Sequence, residues 1–137
     1  MRYIIRRGKV IIVVYKLKIS KNENLVLVTA RGSYSLKDIK SLIHLIVEEP
    51  HYKTNFNIII DITGIVYTPI ISEIKVISDF LVSLKHYFKG TTAIVAEGEL
   101  IYSMFKLSTQ LINKQGLKSN IFSTMEEALV WIKNQSS

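Results

Sequence analysis

The chain is 137 residues long, 48% of them apolar, with no cysteine and a formal net charge of +7. This length fits a single domain spanning 1–137 with a substantial core; the apolar content excludes intrinsic disorder, and the lack of thiols excludes a disulfide framework, a thiolate metal site and a cysteine nucleophile. The whole net charge sits in residues 1–21, which carry Arg2, Arg6, Arg7, Lys9, Lys16, Lys18 and Lys21 and no acid, while bases and acids balance over the rest.

Residues 1–9 form a basic arm, either flexible or an edge strand; nothing in Tyr3 to Arg6 ahead of Gly8 decides between the two. Residues 10–19 read as one strand, β-branched and apolar on both faces at first. It then alternates, with Tyr15, Leu17 and Ile19 on one face and Lys16 and Lys18 on the other. A polar turn, Lys21-Asn22-Glu23-Asn24, leads into a second strand over 25–30, which makes a hairpin. Ser35 with Asp38 resembles a capping box that opens a helix. Leu36, Ile39, Leu42, Ile43 and Ile46 form its buried stripe, and Glu48-Glu49-Pro50 ends it.

Residues 56–62 are apolar on both faces, as a central strand is. Thr68-Pro69 predicts the next helix start, with Thr68 as N-cap and Pro69 in the first turn. A stripe of Ile70, Ile74, Ile77, Leu81, Leu84 and Phe88 carries that helix for five turns to Gly90. A short strand over 91–96 follows. A helix over 99–115 then buries Leu100, Ile101, Met104, Ser108, Leu111 and Ile112, and Gly116 stops it. The last strand spans 119–122. Ser123 or Thr124, with Glu126 and Glu127, caps a final helix that buries Met125, Ala128, Leu129 and Ile132. The order β-β-α-β-α-β-α-β-α defines an α/β fold, a mixed sheet in which an antiparallel hairpin joins parallel strands and about four helices flank them.

No stretch spans a membrane: the longest apolar run, 10–15, is far short of the ~18–20 residues required. The basic start leads into no cleavage site, so a cytoplasmic location is the default. A charge confined to one end does not favour a nucleic-acid partner, whose domain spreads bases over a face. Such an arm suits an anionic membrane surface met through Arg6, Arg7 and Lys9, an acidic partner, or a solvated edge strand guarded by lysines.

The chemistry-bearing motifs are sparse. The six glycines are scattered and make no phosphate loop, dinucleotide fingerprint or nucleophile elbow. His44, His51 and His86 lack metal-ligand spacing, and the adjacent carboxylates of Glu48 and Glu49 diverge. Neither a metal nor a cofactor is expected, and no catalytic residue is assigned. One end of the sheet stands out. Asp61, Thr63 and Gly64 follow the most buried strand, Tyr67 and Thr68 precede the next helix, and Glu97 and Tyr102 flank the helix after the following strand. The carboxyl ends of parallel strands form the crevice where α/β sheets bind ligands. These seven are the candidate ligand- or partner-binding residues. Asp61 and Glu97 as acid and base would be the enzymatic reading, which the sequence does not favour. Exposure of Tyr102, Phe105 and Trp131 would point to a dimer contact.

The stretch Phe56-Asn-Ile-Ile-Ile-Asp-Ile-Thr-Gly-Ile, the strand Thr92-Ala-Ile-Val-Ala-Glu, a helix with Tyr-x-Met-Phe and the ending Phe122-Ser-Thr-Met-Glu-Glu-Ala-Leu-Val-Trp-Ile resemble the STAS-like family. The likeness is to its SpoIIAA-like branch of small bacterial proteins, over roughly residues 15–133. The resemblance implies a mixed sheet flanked by helices and a regulatory role through protein contacts. Family members with an established role switch by phosphorylation of a serine at the start of the helix after the central strand. This chain reads Thr68-Pro69-Ile70-Ile71-Ser72-Glu73 there, so that switch is not carried over. The branch is also similar in fold to lipid-transfer domains of the CRAL-TRIO type. The expectation is therefore a non-enzymatic interaction domain, a homodimer, that binds a protein partner or a small ligand. The alternative is an apolar or lipid-like ligand in an enclosed cavity between the 70–88 and 99–115 helices and the sheet.

Overall fold

The computed structural model describes the backbone of residues 2–6 and 9–135 and the side chains from Val14 to Gln135. Two strands, β1 (Arg2–Arg6) and β2 (Lys9–Val13), pair antiparallel as a separate ribbon. The main sheet holds β3 (Tyr15–Ser20), β4 (Leu25–Ser33), β5 (Asn57–Val66), β6 (Thr91–Val95) and β7 (Lys118–Phe122), side by side in that order. The β3–β4 pair is antiparallel and every later pair is parallel. Helices α1 (Leu36–Glu48), α2 (Ile71–Ser83) and α3 (Glu99–Asn113) connect successive parallel strands, and α4 (Met125–Gln135) follows the last. The expected α/β order is present, with one more hairpin ahead of it.

Alternation along the strands divides the core. Val26, Val28, Ile58, Ile62 and Ile94 pack with Ile46 of α1, Ile74 and Ile77 of α2, and Phe105 and Ile112 of α3. Ile59, Ala93 and Val95 face the other way and meet Ala128 and Ile132 of α4. Three helices therefore cover one face of the sheet and α4 covers the other. Ile46, Ile58, Ile59, Ile74, Ile77 and Ile112 are fully enclosed, each worth ~1.5–3 kcal/mol of burial. A polar seam in this layer is satisfied: Ser78 donates to the Ile74 carbonyl at 2.7 Å and shares a 2.8 Å hydrogen bond with Ser108 between α2 and α3.

Ser35 and Asp38 close a reciprocal capping box at the start of α1, and Gly116, at φ 102°, turns the chain out of α3. Four expectations are corrected. The stretch 10–19 is two strands, because pairing changes partner at Val14: Val13 is opposite Arg2 of β1 and Tyr15 is opposite Ala30 of β4, while the Val14 carbonyl accepts from the Arg31 N–H at 3.1 Å and the Tyr34 hydroxyl at 2.7 Å. Tyr3 to Arg6, left undecided above, lies in β1. Thr68 does not cap α2: a residue before proline avoids helical angles, the chain stays extended through Ile70 (φ −121°, ψ 156°), and α2 begins at Ile71. The five-turn stripe breaks after Ser83 into a 3-10 turn, Lys85–Tyr87, held by a hydrogen bond from the Tyr52 hydroxyl to the Tyr87 carbonyl. Leu100 and Leu129, placed in buried stripes above, are exposed.

Candidate functional site

Parallel strands, and helices that each follow one, gather the ends of β4, β5 and β6 and the starts of α1, α2 and α3 at one end of the sheet. The Tyr34 N–H binds the Val66 carbonyl at 2.9 Å and fixes the β4 and β5 exits side by side. The register between those strands shifts here: Thr29 faces Asp61, but Arg31 faces Gly64. That irregularity explains three of the candidate residues. Asp61 accepts from the Thr63 N–H at 2.9 Å and its hydroxyl at 2.7 Å, supplying a partner for backbone the ladder skips. A Cβ on Gly64 would stand 3.1 Å from the Ala30 carbonyl oxygen, so the strands approach closely only around glycine. Asp61 also shares its sheet face with Ile59, on the α4 side, opposite the side on which Tyr67 packs.

Tyr67 is buried, its ring 6.5 Å from Phe105 and its hydroxyl donating to Glu73 at 2.7 Å. Burial, reinforced by that carboxylate, raises the phenol well above its ordinary range. It stays protonated at neutral pH and serves as a fastener between the β5 exit and the first turn of α2. Thr68 beside it is exposed. Glu97 is exposed in the loop after β6, and Gly98 (φ 98°) begins α3 without a side-chain cap. Glu97, Glu99, Tyr102, Ser103 and Ser123 line a shallow depression of about 290 Å³. Asp61 is not part of it, so the depression does not unite the acid–base pair considered above.

The most informative residues here were not among the seven. Val66, Ile70, Ile71 and Leu100 are 67%, 54%, 65% and 52% exposed, all at the exit of β5 or the first turns of α2 and α3. Isoleucine at the N-cap, with no side-chain cap, breaks the local preference for Ser, Thr, Asp or Asn. These four, each more than half in solvent at that end of the sheet, make an apolar rim, and the exposed Glu97 and Glu99 precede Leu100 in the chain. Periodicity alone could not show this, since Ile70 and Leu100 both continue a stripe. Of the three aromatics considered for a dimer contact, Phe105 is buried, Tyr102 is half-buried, and the half-buried Trp131 lies tilted against Phe122, ring centres 5.6 Å apart.

Beneath the rim, Leu42, Ile46, Ile62, Leu81, Phe105 and Ile112 are among the residues lining an apolar cavity of about 60 Å³. Ligand pockets run to ~300–1,000 Å³, so this cavity is too small to hold an acyl chain. Among the described residues no group of His, Asp and Glu gathers as metal ligands, and no helix is long and apolar enough to cross a membrane.

Element order, sheet order and the division of the helices make a mixed-sheet α/β fold of the SpoIIAA-like kind. Among solved structures the chain is similar to an uncharacterized protein of the DUF3478 family with a SpoIIAA-like fold, from Shewanella loihica PV-4. The TM-score is 0.54 and the identity 19%, over 88% of this chain and 93% of that one. No family model and no curated relative matches.

Proposed function

We propose that this chain is a non-enzymatic regulatory or interaction domain of the cytoplasm, a homodimer, that works through protein contacts at the exit end of its parallel strands. The observation that carries this reading is the rim: Val66, Ile70, Ile71 and Leu100 stand in solvent where a closed domain would bury or replace them. Thr68, Glu97 and the half-buried Tyr102 lie at the same end and Tyr67 fastens it from within, whereas Asp61, Thr63 and Gly64 shape the strand exit. Where the resemblance would place a phosphorylatable serine, exposed isoleucines stand instead, so the contact is apolar and constitutive rather than switched by charge.

The test is a photo-crosslinking amino acid at Ile71, compared with the same probe at the exposed Lys114 beyond the far end of α3. In cells that make the protein natively, Ile71 should yield a discrete protein adduct and Lys114 none. Equal labelling from both positions, or none from either, contradicts the reading.

A further inference from the structure

The end of the sheet opposite the rim gathers the other sign of charge. Between Asp79 and Glu126 the chain holds only two acids, Glu97 and Glu99, both in the link from β6 into α3. The lysines of the same stretch are Lys85, Lys89, Lys106, Lys114 and Lys118. Three of them, Lys85, Lys89 and Lys118, line one groove of about 300 Å³ with His86, Phe88 and Gln115, where β6 and β7 begin. Among the described residues no carboxylate lines it, and neither the three lysines nor His86 form an ion pair. General basicity does not account for this, because bases and acids balance over residues 22–137.

Both walls are held in place by the fold. The 3-10 turn that interrupts the α2 stripe leads into one wall, where the Lys89 N–H donates to the Thr54 carbonyl at 2.8 Å. Asn57 accepts from the Thr91 N–H and hydroxyl at 3.0 and 2.8 Å. Between them, a Cβ on Gly90 would stand 2.3 Å from the Phe56 carbonyl oxygen, so this wall lies tight against the 54–57 segment. At the other wall, Asn113 exchanges two hydrogen bonds with the Ser119 backbone, at 2.9 and 2.8 Å. The β6–β7 register sets Lys118 opposite Thr91. The lysine backbones therefore cannot spread apart to relieve repulsion. The carboxyl ends of α2 and α3 offer only about half a negative charge each against three ammonium groups. A concave site lined by one sign of charge concentrates its counter-ion.

We infer that this groove binds a small anion bearing several phosphate groups. Its volume sits at the lower limit of small-molecule sites, which suits a compact polyphosphate or a phosphorylated headgroup. Lysine carries a point charge on a flexible stem and lacks the planar fork of arginine, so the site responds to the number of charges more than to their layout. His86 and the Gln115 amide can add N–H donors. Held by exposed ammonium groups, the anion exchanges away in the salt of ordinary purification. The groove lies at the opposite end from the rim, so the two readings stand or fall separately.

Titration calorimetry with inorganic tripolyphosphate tests the site on the full chain. One anion should bind per chain at low salt, more tightly than pyrophosphate, and on the order of tenfold more weakly at physiological salt. Lys89→Gln with Lys118→Gln should weaken binding on the order of tenfold or more, while Lys106→Gln with Lys133→Gln, an equal loss of charge outside the groove, should leave it within about twofold. Melting temperatures within a few degrees of the wild type establish that both variants fold. No binding at low salt, or equal losses in the two variants, overturns the proposal. So does binding that survives the groove variant and is lost in Arg6→Gln with Arg7→Gln, which would place the anion on the basic arm. Phosphatidylcholine vesicles containing phosphatidylinositol phosphate identify the source: competition with tripolyphosphate supports the groove as a headgroup site, and its absence supports it as a site for a free anion.

Discussion

Ile70→Asp separates a contact residue from a core residue by the sign of its effect. Ile70 occupies the N-cap of α2 with extended angles and no side-chain cap, and it is 54% exposed. An aspartate there can accept from the N–H of Ser72 or Glu73 and meets the positive end of the helix, a gain of about 1–2 kcal/mol. Against this stands the buried part of the isoleucine, a little under half the side chain, worth about 1 kcal/mol. The net runs from no change to about 1 kcal/mol of added stability, or a melting temperature between unchanged and ~4 °C higher. Were Ile70 the first residue of a buried stripe, the same change would cost ~3–5 kcal/mol and lower the melting temperature by ~10 °C or more. Association should respond in the opposite sense, since a carboxylate would replace apolar surface in the contact. We expect the dimer to weaken by roughly ten- to a hundredfold. Calorimetric melting and sedimentation equilibrium on one sample read both. A large drop in melting temperature, or an unchanged dimer, refutes the reasoning.

Three further outcomes are expected. Gly90→Ala places a Cβ 2.3 Å from the Phe56 carbonyl oxygen, a backbone clash that should cost ~1–3 kcal/mol in urea unfolding; an unchanged midpoint would refute the close approach. Ser35→Ala removes one half of the α1 capping box and should cost about 1 kcal/mol by the same assay, with no loss meaning that solvent caps the helix equally well. Burial above all keeps Tyr34, Tyr52 and Tyr67 protonated well past the ordinary phenol value of 10.0, so the folded chain holds protons that the unfolded chain releases. Stability present below pH 10 should therefore fall as pH rises beyond it, by at most ~1.4 kcal/mol per tyrosine per pH unit and less where solvent screens the hydroxyl. Urea midpoints at pH 8 and pH 11 check this, and equal midpoints would contradict it.

The fold was legible where one physical signal acted alone. The isoleucine run of β5 reads as a central strand because both faces are apolar, and both are covered. Ser35 and Asp38 announce α1 because a capping box is a local, reciprocal pair of hydrogen bonds. Legibility failed where tertiary contacts outbid local chemistry. Thr68-Pro69 has the composition of a helix start, yet Tyr67 is fastened to Glu73 and seated against Phe105, which keeps the segment extended. Val14 has a strand former's side chain, but there the chain passes from pairing with β1 to pairing with β4, a change that composition does not show. Topology brings the candidate residues toward one end of the sheet, since parallel strands and the helices that follow them must meet there. The apolar rim was hidden because Ile70 and Leu100 satisfy helical periodicity while facing water, and periodicity does not count neighbours.

A fold that acts through contacts at that rim need hold no ligand inside. Native mass spectrometry on protein purified from its own host without denaturation tests this in one spectrum. The expected species has twice the chain mass with nothing retained, and falls to the monomer in the Ile70→Asp variant. A monomer that carries an extra few hundred daltons, equally present in that variant, would contradict it and place the function in the core beneath α1, α2 and α3.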